Sequence, residues 1–356
     1  MQLFYVFLGL NILTLKSIIM KKITLLFSGL LLMGVFTLKA ADYYWVGDGG
    51  NWSDTSHWAT TSGGAVKHNT PPTSSDNVYF DANSFSMAMQ SVNLDAFASC
   101  QNMDWTGVTN MPDLGGFNSL NIYGSLTFDP GMTCSMNGGF QFYSDDPGNT
   151  IDIAGVSIPN AWSFGFNGDG NGEWTFLSDV EIGSIMFNNG IIYTNGYTLT
   201  TGNINIMGGN INQELHFGTS VINTTGLNIM AMPGVYSIDA DSAILNITNS
   251  SDFNGGDNTF HVINITGISF GNEYYFSGSN TIDTLRFDSI PKIIFEEGSI
   301  NTIEDIVFNG NCANPVTIMT SIKGNTAYFN KSSGTVNEDY LAIRDFTIMG
   351  DRKSVV

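Results

Sequence analysis

The chain has 356 residues, with 12 Lys and Arg against 32 Asp and Glu and a formal net charge of −20. No Lys or Arg occurs between Lys67 and Arg286, so no basic surface exists there to neutralise phosphates. Nucleic acid is thereby excluded as a partner, and an anionic membrane surface is disfavoured.

The first 40 residues read as a secretory signal peptide. Met20-Lys21-Lys22 precedes the apolar run ITLLFSGLLLMGVFTL, and small residues follow at Ala40-Ala41. Met20 is the expected true start. The run is short for a spanning helix, and no cysteine follows the expected cut, so neither a lipid anchor nor membrane insertion of the mature chain is expected. At the other end, DRKSVV (351–356) resembles the conceptual translation of a common sequencing adapter and is expected to be an artefact. Between these ends, six bases (Lys67, Arg286, Lys292, Lys323, Lys331, Arg344) face 31 acids, a net charge of −25.

Residues 41–98 form an expected N-terminal Trp-rich capping module. Its loop GDGGNWSDTSHW, Gly47 to Trp58, carries two tryptophans that can plug the open end of a β structure. Asn51, Ser53 and Asp54 suit the polar needs of its turns. A second reading of Trp52 and Trp58 is an aromatic platform that stacks on sugars. His57, like His68, His216 and His261, has no Ser, Cys or Asp partner at a known triad spacing.

Residues 99–350 contain no twelve-residue stretch with a helical period and caps. Short alternating runs such as SLNIYGSLTFD and HVINITGISF are punctuated by NNG, TNG and GGN, which predicts strands separated by tight turns. A heptad recurs as YGSLTFD from Tyr123, IGSIMFN from Ile182, IDTLRFD from Ile282 and IEDIVFN from Ile303, with a relaxed copy, ITGISFG, from Ile265. The spacings fit multiples of about twenty residues, the range of solenoid repeats. The predicted fold is therefore all-β, a parallel β-helix (β-solenoid) with an N-terminal cap; one or two β-sandwiches are the alternative. Stacked coils would bury rows of Ile, Leu, Val and Phe and align Asn, Thr and aromatic side chains into ladders.

Chemistry is sparse. In NGDGNGEWTFLSD, Asn167, Asp169 and Asn171, with Gly172 at the sixth position, match the front of a calcium loop, and Glu173 adds a carboxylate. Ser178 stands where a bidentate glutamate belongs, and a plain turn explains the stretch equally. Calcium is the one cofactor the sequence suggests. The acid pairs Asp145-Asp146 and Glu296-Glu297 sit beside Pro or Gly in expected turns, and the lack of bases from 68 to 285 argues against a lyase. Cys100, Cys134 and Cys312 are too few and scattered for a disulfide scaffold; one bridge with a leftover thiol, or buried free thiols, both remain open.

YYWVGDGGNWSDTSHWATTSGG and the following PPTSSDNVYFDANSF resemble the N-terminal module of large exported surface proteins of the Bacteroidota and of autotransporter-like adhesin passengers. The matching residues are Tyr44-Trp45, Gly50 to Asp54, Trp58, Pro72-Thr73, Asp76-Asn77 and Val78 to Asp81. SCQNMDWTG from Ser99 and the stretch Ala313 to Gly350 resemble later parts of such proteins. The resemblance implies a secreted or cell-surface β-helical repeat protein that continues beyond this chain. The expected function is a non-catalytic, adhesin-like or structural passenger whose partners are extracellular glycans or surfaces. The alternative is a β-helical carbohydrate-active enzyme of the glycoside hydrolase type, or a carbohydrate-binding module.

Overall fold

The computed structural model describes residues 40–158, 162–208, 213–230, 235–250, 252–268, 271–331 and 340–350. The expected signal segment through Lys39 and the adapter-like DRKSVV lie outside these residues. The described chain is all-β, a parallel β-solenoid of about 11 turns. Its one helical element is a single 3-10 turn, Thr55–His57. Among the described residues no helix is long and apolar enough to cross a membrane.

Parallel pairing begins at once. Strand Asp42–Trp45 lies beside Asn77–Tyr79 in parallel, and that strand beside Met103–Asp104. Residues 41–98 thus already contain coils of the solenoid, and no break in pairing separates them from the later coils. One inward column runs Tyr43, Val78, Met103, Leu126, Ile151 and Phe176. A second runs Ala98, Leu120, Phe140, Phe164, Ile185, Ile204 and Leu227. A third runs Val180, Leu199, Ile222, Leu245, Ile263, Leu285 and Ile306. Every member of the three columns is buried. Each is the apolar residue of an alternating strand, so the neighbouring coil supplies the cover that a single coil lacks.

The cross-section changes along the axis. Early coils visit three faces, as in Asn77–Tyr79, Ser91–Leu94 and Ala98–Cys100. The 15-residue strand Tyr236–Ser250 pairs at its start with Gln213–His216 and at its end with Val221–Thr224, and so fuses two faces into one. Later coils alternate between two sheets: Thr281–Asp288 and Ile300–Phe308 in one, Lys292–Phe295 and Val316–Thr320 in the other.

The repeat is real, but the heptad locates it unevenly. Ile282, Leu285 and Phe287 face Ile303, Ile306 and Phe308 in register. The relaxed copy from Ile265 is out of phase, because Phe260, Ile263 and Ile265 are the residues facing Ile282, Leu285 and Phe287. The copies at Tyr123 and Ile182 place Leu126 and Ile185 on different faces. The reason is physical: a strand entering from a corner makes the same alternating pattern on any face. Coil steps in the amide ladders vary, from 18 residues between Asn246 and Asn264 to 25 between Asn77 and Asn102 and 35 between Asp42 and Asn77, so a fixed twenty-residue step drifts across faces.

The amide ladders form as expected. Asn102 donates to Asn77 at 2.8 Å, and Asn77 to Asp42 at 3.0 Å. Ring columns accompany them: Tyr44 stacks on Tyr79 at 4.9 Å and Phe142 on Phe166 at 5.1 Å.

Candidate functional site

The Trp-rich loop closes the first coil. Its neighbour strands, with Tyr44 facing Ala59 and Trp45 facing Trp58, are the one antiparallel strand pair among the described residues. That return covers an edge that would otherwise continue the sheet. Trp45, Trp52 and Trp58 are all buried, with Trp58 edge-on to Trp45 at 4.9 Å and to Trp52 at 4.8 Å. The indole N–H of Trp58 donates to the Trp52 carbonyl at 2.8 Å, and that of Trp45 to the Asp48 carbonyl at 2.7 Å. Trp52 at 2% exposure and Trp58 at 0% present no ring face to solvent. The aromatic platform read from these two residues is therefore corrected: burial removes them from any sugar.

His57 is a packing residue. Its ring lies flat on Trp45 at 4.6 Å, and its Nδ1 is 2.8 Å from the Val46 carbonyl oxygen. It also explains Gly50, where a Cβ would fall 2.1 Å from His57 Nε2.

The calcium-loop residues are divided between other tasks. Asn167 donates to Gln141 at 3.1 Å and accepts from Asn188 at 2.7 Å, so its amide belongs to an interstrand ladder. The Asp169 backbone N–H donates to Asp145, and the Asn171 N–H to the Asp169 carbonyl. Gly172 is required by close approach, since a Cβ there would meet the Ser144 carbonyl oxygen at 2.0 Å. Glu173 opens a strand and lines a groove instead. The Asn167 amide is thus engaged between strands, and Glu173 lines the groove. Among the described residues no group of three or more His, Cys, Asp or Glu is placed to hold a metal ion.

The cysteines are free thiols, Cys100 and Cys134 buried and Cys312 exposed. Burial pushes the Cys100 thiol far up and the Cys134 thiol up to about 12, so neither is a nucleophile at neutral pH.

Two surfaces that the sequence did not reveal stand out. The first is a corner ridge. Phe97 and Phe117 each lie in a three-residue turn between two faces, after Leu94 and Gly116 respectively, which are register partners. Trp162 comes just before strand Phe164–Asn167 on the same corner, its N–H donating to the Gly138 carbonyl at 3.4 Å. Phe97, Phe117 and Trp162 are 79%, 85% and 79% exposed. Five of the six tryptophans lie in the core, and Trp162 alone faces water.

The second is an open groove of about 620 Å³ along one face, lined by Glu173, Thr175, Tyr193, Asn195, His216, Thr219 and Asp239 among others. Stacking of coils places Thr175, Tyr193, His216 and Asp239 in one outward column, and Glu173 and Glu214 in the adjacent one. Tyr193 lies parallel to His216 at 4.5 Å. His216 Nε2 is 3.3 Å from Glu214 and Nδ1 is 3.5 Å from Asp239. Partial burial, then the charges of Glu173 and Glu214, hold the Tyr193 phenol above its ordinary range. Successive members of the column are 18 to 23 positions apart in the chain, which is why no local motif announces them.

Comparison with family models, with characterised proteins and with solved structures finds no match for this chain. The class that the coordinates define is the parallel β-solenoid.

Proposed function

We propose that this solenoid is an exported, non-catalytic surface protein that acts as an adhesin-like passenger and contacts extracellular glycans. The observation that carries the reading is the ridge of Phe97, Phe117 and Trp162 on a chain that otherwise buries its tryptophans. Exposed aromatic rings suit the apolar faces of sugars, and large exposed apolar residues gathered at one place mark interaction surfaces. The corner spans four coils, about 14 Å at the spacing of paired strands. The acidic surface and the lack of bases between Lys67 and Arg286 suit a neutral or cationic partner. The leader-like segment and the resemblance of the Trp-rich module to exported surface proteins support location outside the cell.

The test is binding of the purified protein to an array of neutral oligosaccharides, together with protease accessibility on intact source cells. Loss of binding in Phe117→Ala/Trp162→Ala with an unchanged fold supports the reading; a protein found inside the cell, or variants that bind as before, overturns it.

A hydrolase is the second reading, favoured by one geometric fact. Glu173 and Glu214 share a column two coils apart, about 10 Å by strand spacing, close to the separation used by inverting glycosidases. Release of reducing ends from a polysaccharide, abolished in Glu214→Gln, would establish it.

A further inference from the structure

The groove faces solvent, and no Lys or Arg lines it. Glu173 and Asp239 line it with carboxylates, Asn195 with an amide, and Thr175 and Thr219 with hydroxyls, around the stacked rings of Tyr193 and His216, and Glu214 stands beside it. His216 sits between two carboxylates, with Nε2 3.3 Å from Glu214 and Nδ1 3.5 Å from Asp239. Each carboxylate has further lone pairs that can accept a donor from outside. This lining suits a ligand that brings positive charge and several hydroxyl groups together. The two columns run along the solenoid axis, and one coil step of about 4.8 Å is close to the length of one ring in an extended β-linked sugar chain.

We propose that the groove binds an extended amino-sugar chain, its ammonium groups held by Glu173, Glu214 and Asp239 and its hydroxyls by Thr175, Asn195 and Thr219. Glu173 and Glu214, two coils apart, meet every second sugar, and Asp239 meets the next along the axis. The strongly negative chain, with no Lys or Arg from 68 to 285, draws the cation in and repels acidic glycans. An ammonium that docks beside Tyr193 also gains from the ring face. The proposal rests on the reading of this solenoid as a glycan-contacting protein, but it assigns the contact to a different face from the aromatic ridge.

The experiment is calorimetric titration of the whole chain with three probes: a β-1,4 glucosamine hexamer, its fully N-acetylated counterpart, and hexalysine. The glucosamine hexamer is expected to bind, with affinity falling as salt rises. Acetylation, which removes the charge and keeps the sugar, weakens binding by about tenfold or more, a difference of about 1.4 kcal/mol. Glu214→Gln and Asp239→Asn, both conservative surface changes, each reduce glucosamine affinity by a similar factor, whereas Phe117→Ala does not. Equal binding of the acetylated hexamer overturns the charge recognition. Equal or tighter binding of hexalysine overturns the sugar assignment, and groove variants that bind as the parent does overturn the site. Loss of neutral-glycan binding in the ridge variants, with glucosamine binding kept, concerns the ridge alone, so the two claims fail separately.

Discussion

The side-chain amide of Asn264 donates to Oδ1 of Asn246 at 2.9 Å, and Asn246 donates in turn to Asn223 one coil earlier, also at 2.9 Å. Thr200 and Arg286 extend this ladder at its two ends. Each amide is both donor and acceptor, so the ladder fixes register as well as adding stability.

Asn246→Ala removes two of these bonds and leaves the Asn223 acceptor and the Asn264 donor without their partner. The expected cost is about 1–3 kcal/mol, read as a lower urea midpoint. Asn246→Asp at neutral pH keeps the acceptor for Asn264 but has no donor for Asn223, and is also destabilised.

The ring column at the centre of the solenoid predicts a larger effect. Phe166 is fully buried, stacked on Phe142 at 5.1 Å and edge-on to Trp174 at 5.3 Å. Phe166→Ala should cost about 3–5 kcal/mol. Because coils contact mainly their neighbours, the damage should be local first. Limited proteolysis is expected to cut near this coil before the distant ends unfold.

At the cap, Trp58→Ala opens the first coil by removing a ring that touches Trp45, Trp52 and Tyr43. The expected outcome is a loss of about 3–5 kcal/mol together with concentration-dependent association in sedimentation, as the uncovered end seeks a second copy. Phe117→Ala, on the exposed ridge, should leave both properties unchanged.

Thiol chemistry separates the three cysteines. A native sample should react with a thiol reagent once per chain, at Cys312, and three times after unfolding. Cys100 and Cys134 are raised by burial, as is the phenol of Tyr274. The stability that these neutral groups contribute is intact below their unfolded pKa values, about 8.5 for the thiols. It declines as pH rises toward the folded values, since the unfolded chain then holds fewer protons. The urea midpoint should fall above about pH 9, and Cys100→Ala should flatten that fall.

Much of the fold was legible because alternation and the scarcity of charge are local signals. Ile282, Leu285 and Phe287 match Ile303, Ile306 and Phe308 in the sequence, and they face each other in the structure. The phase at Ile265 was not legible, because Phe260-x-x-Ile263-x-Ile265 satisfies the same strand chemistry five residues earlier. Trp52 and Trp58 pack inward at the first coil, and their use on sugars fails on that burial. The groove was hidden for a different reason. Thr175, Tyr193, His216 and Asp239 share a column through coil steps of 18, 23 and 23 residues, and sequence spacing does not encode which residues of successive coils share a column.

The coil-on-coil register is the claim on which everything else stands, and paired cysteines test it most directly. Thr200 and Asn223 are facing partners in adjacent coils, whereas Thr200 and Asn246 are separated by one coil. In a Cys312→Ser background, Thr200→Cys/Asn223→Cys should oxidise to an intramolecular disulfide, because adjacent strands bring Cα atoms within the range of about 4.4–6.8 Å that a bridge requires. Thr200→Cys/Asn246→Cys should stay reduced, its Cα atoms lying about 10 Å apart by strand spacing. A bridge in the second pair and none in the first would contradict the solenoid.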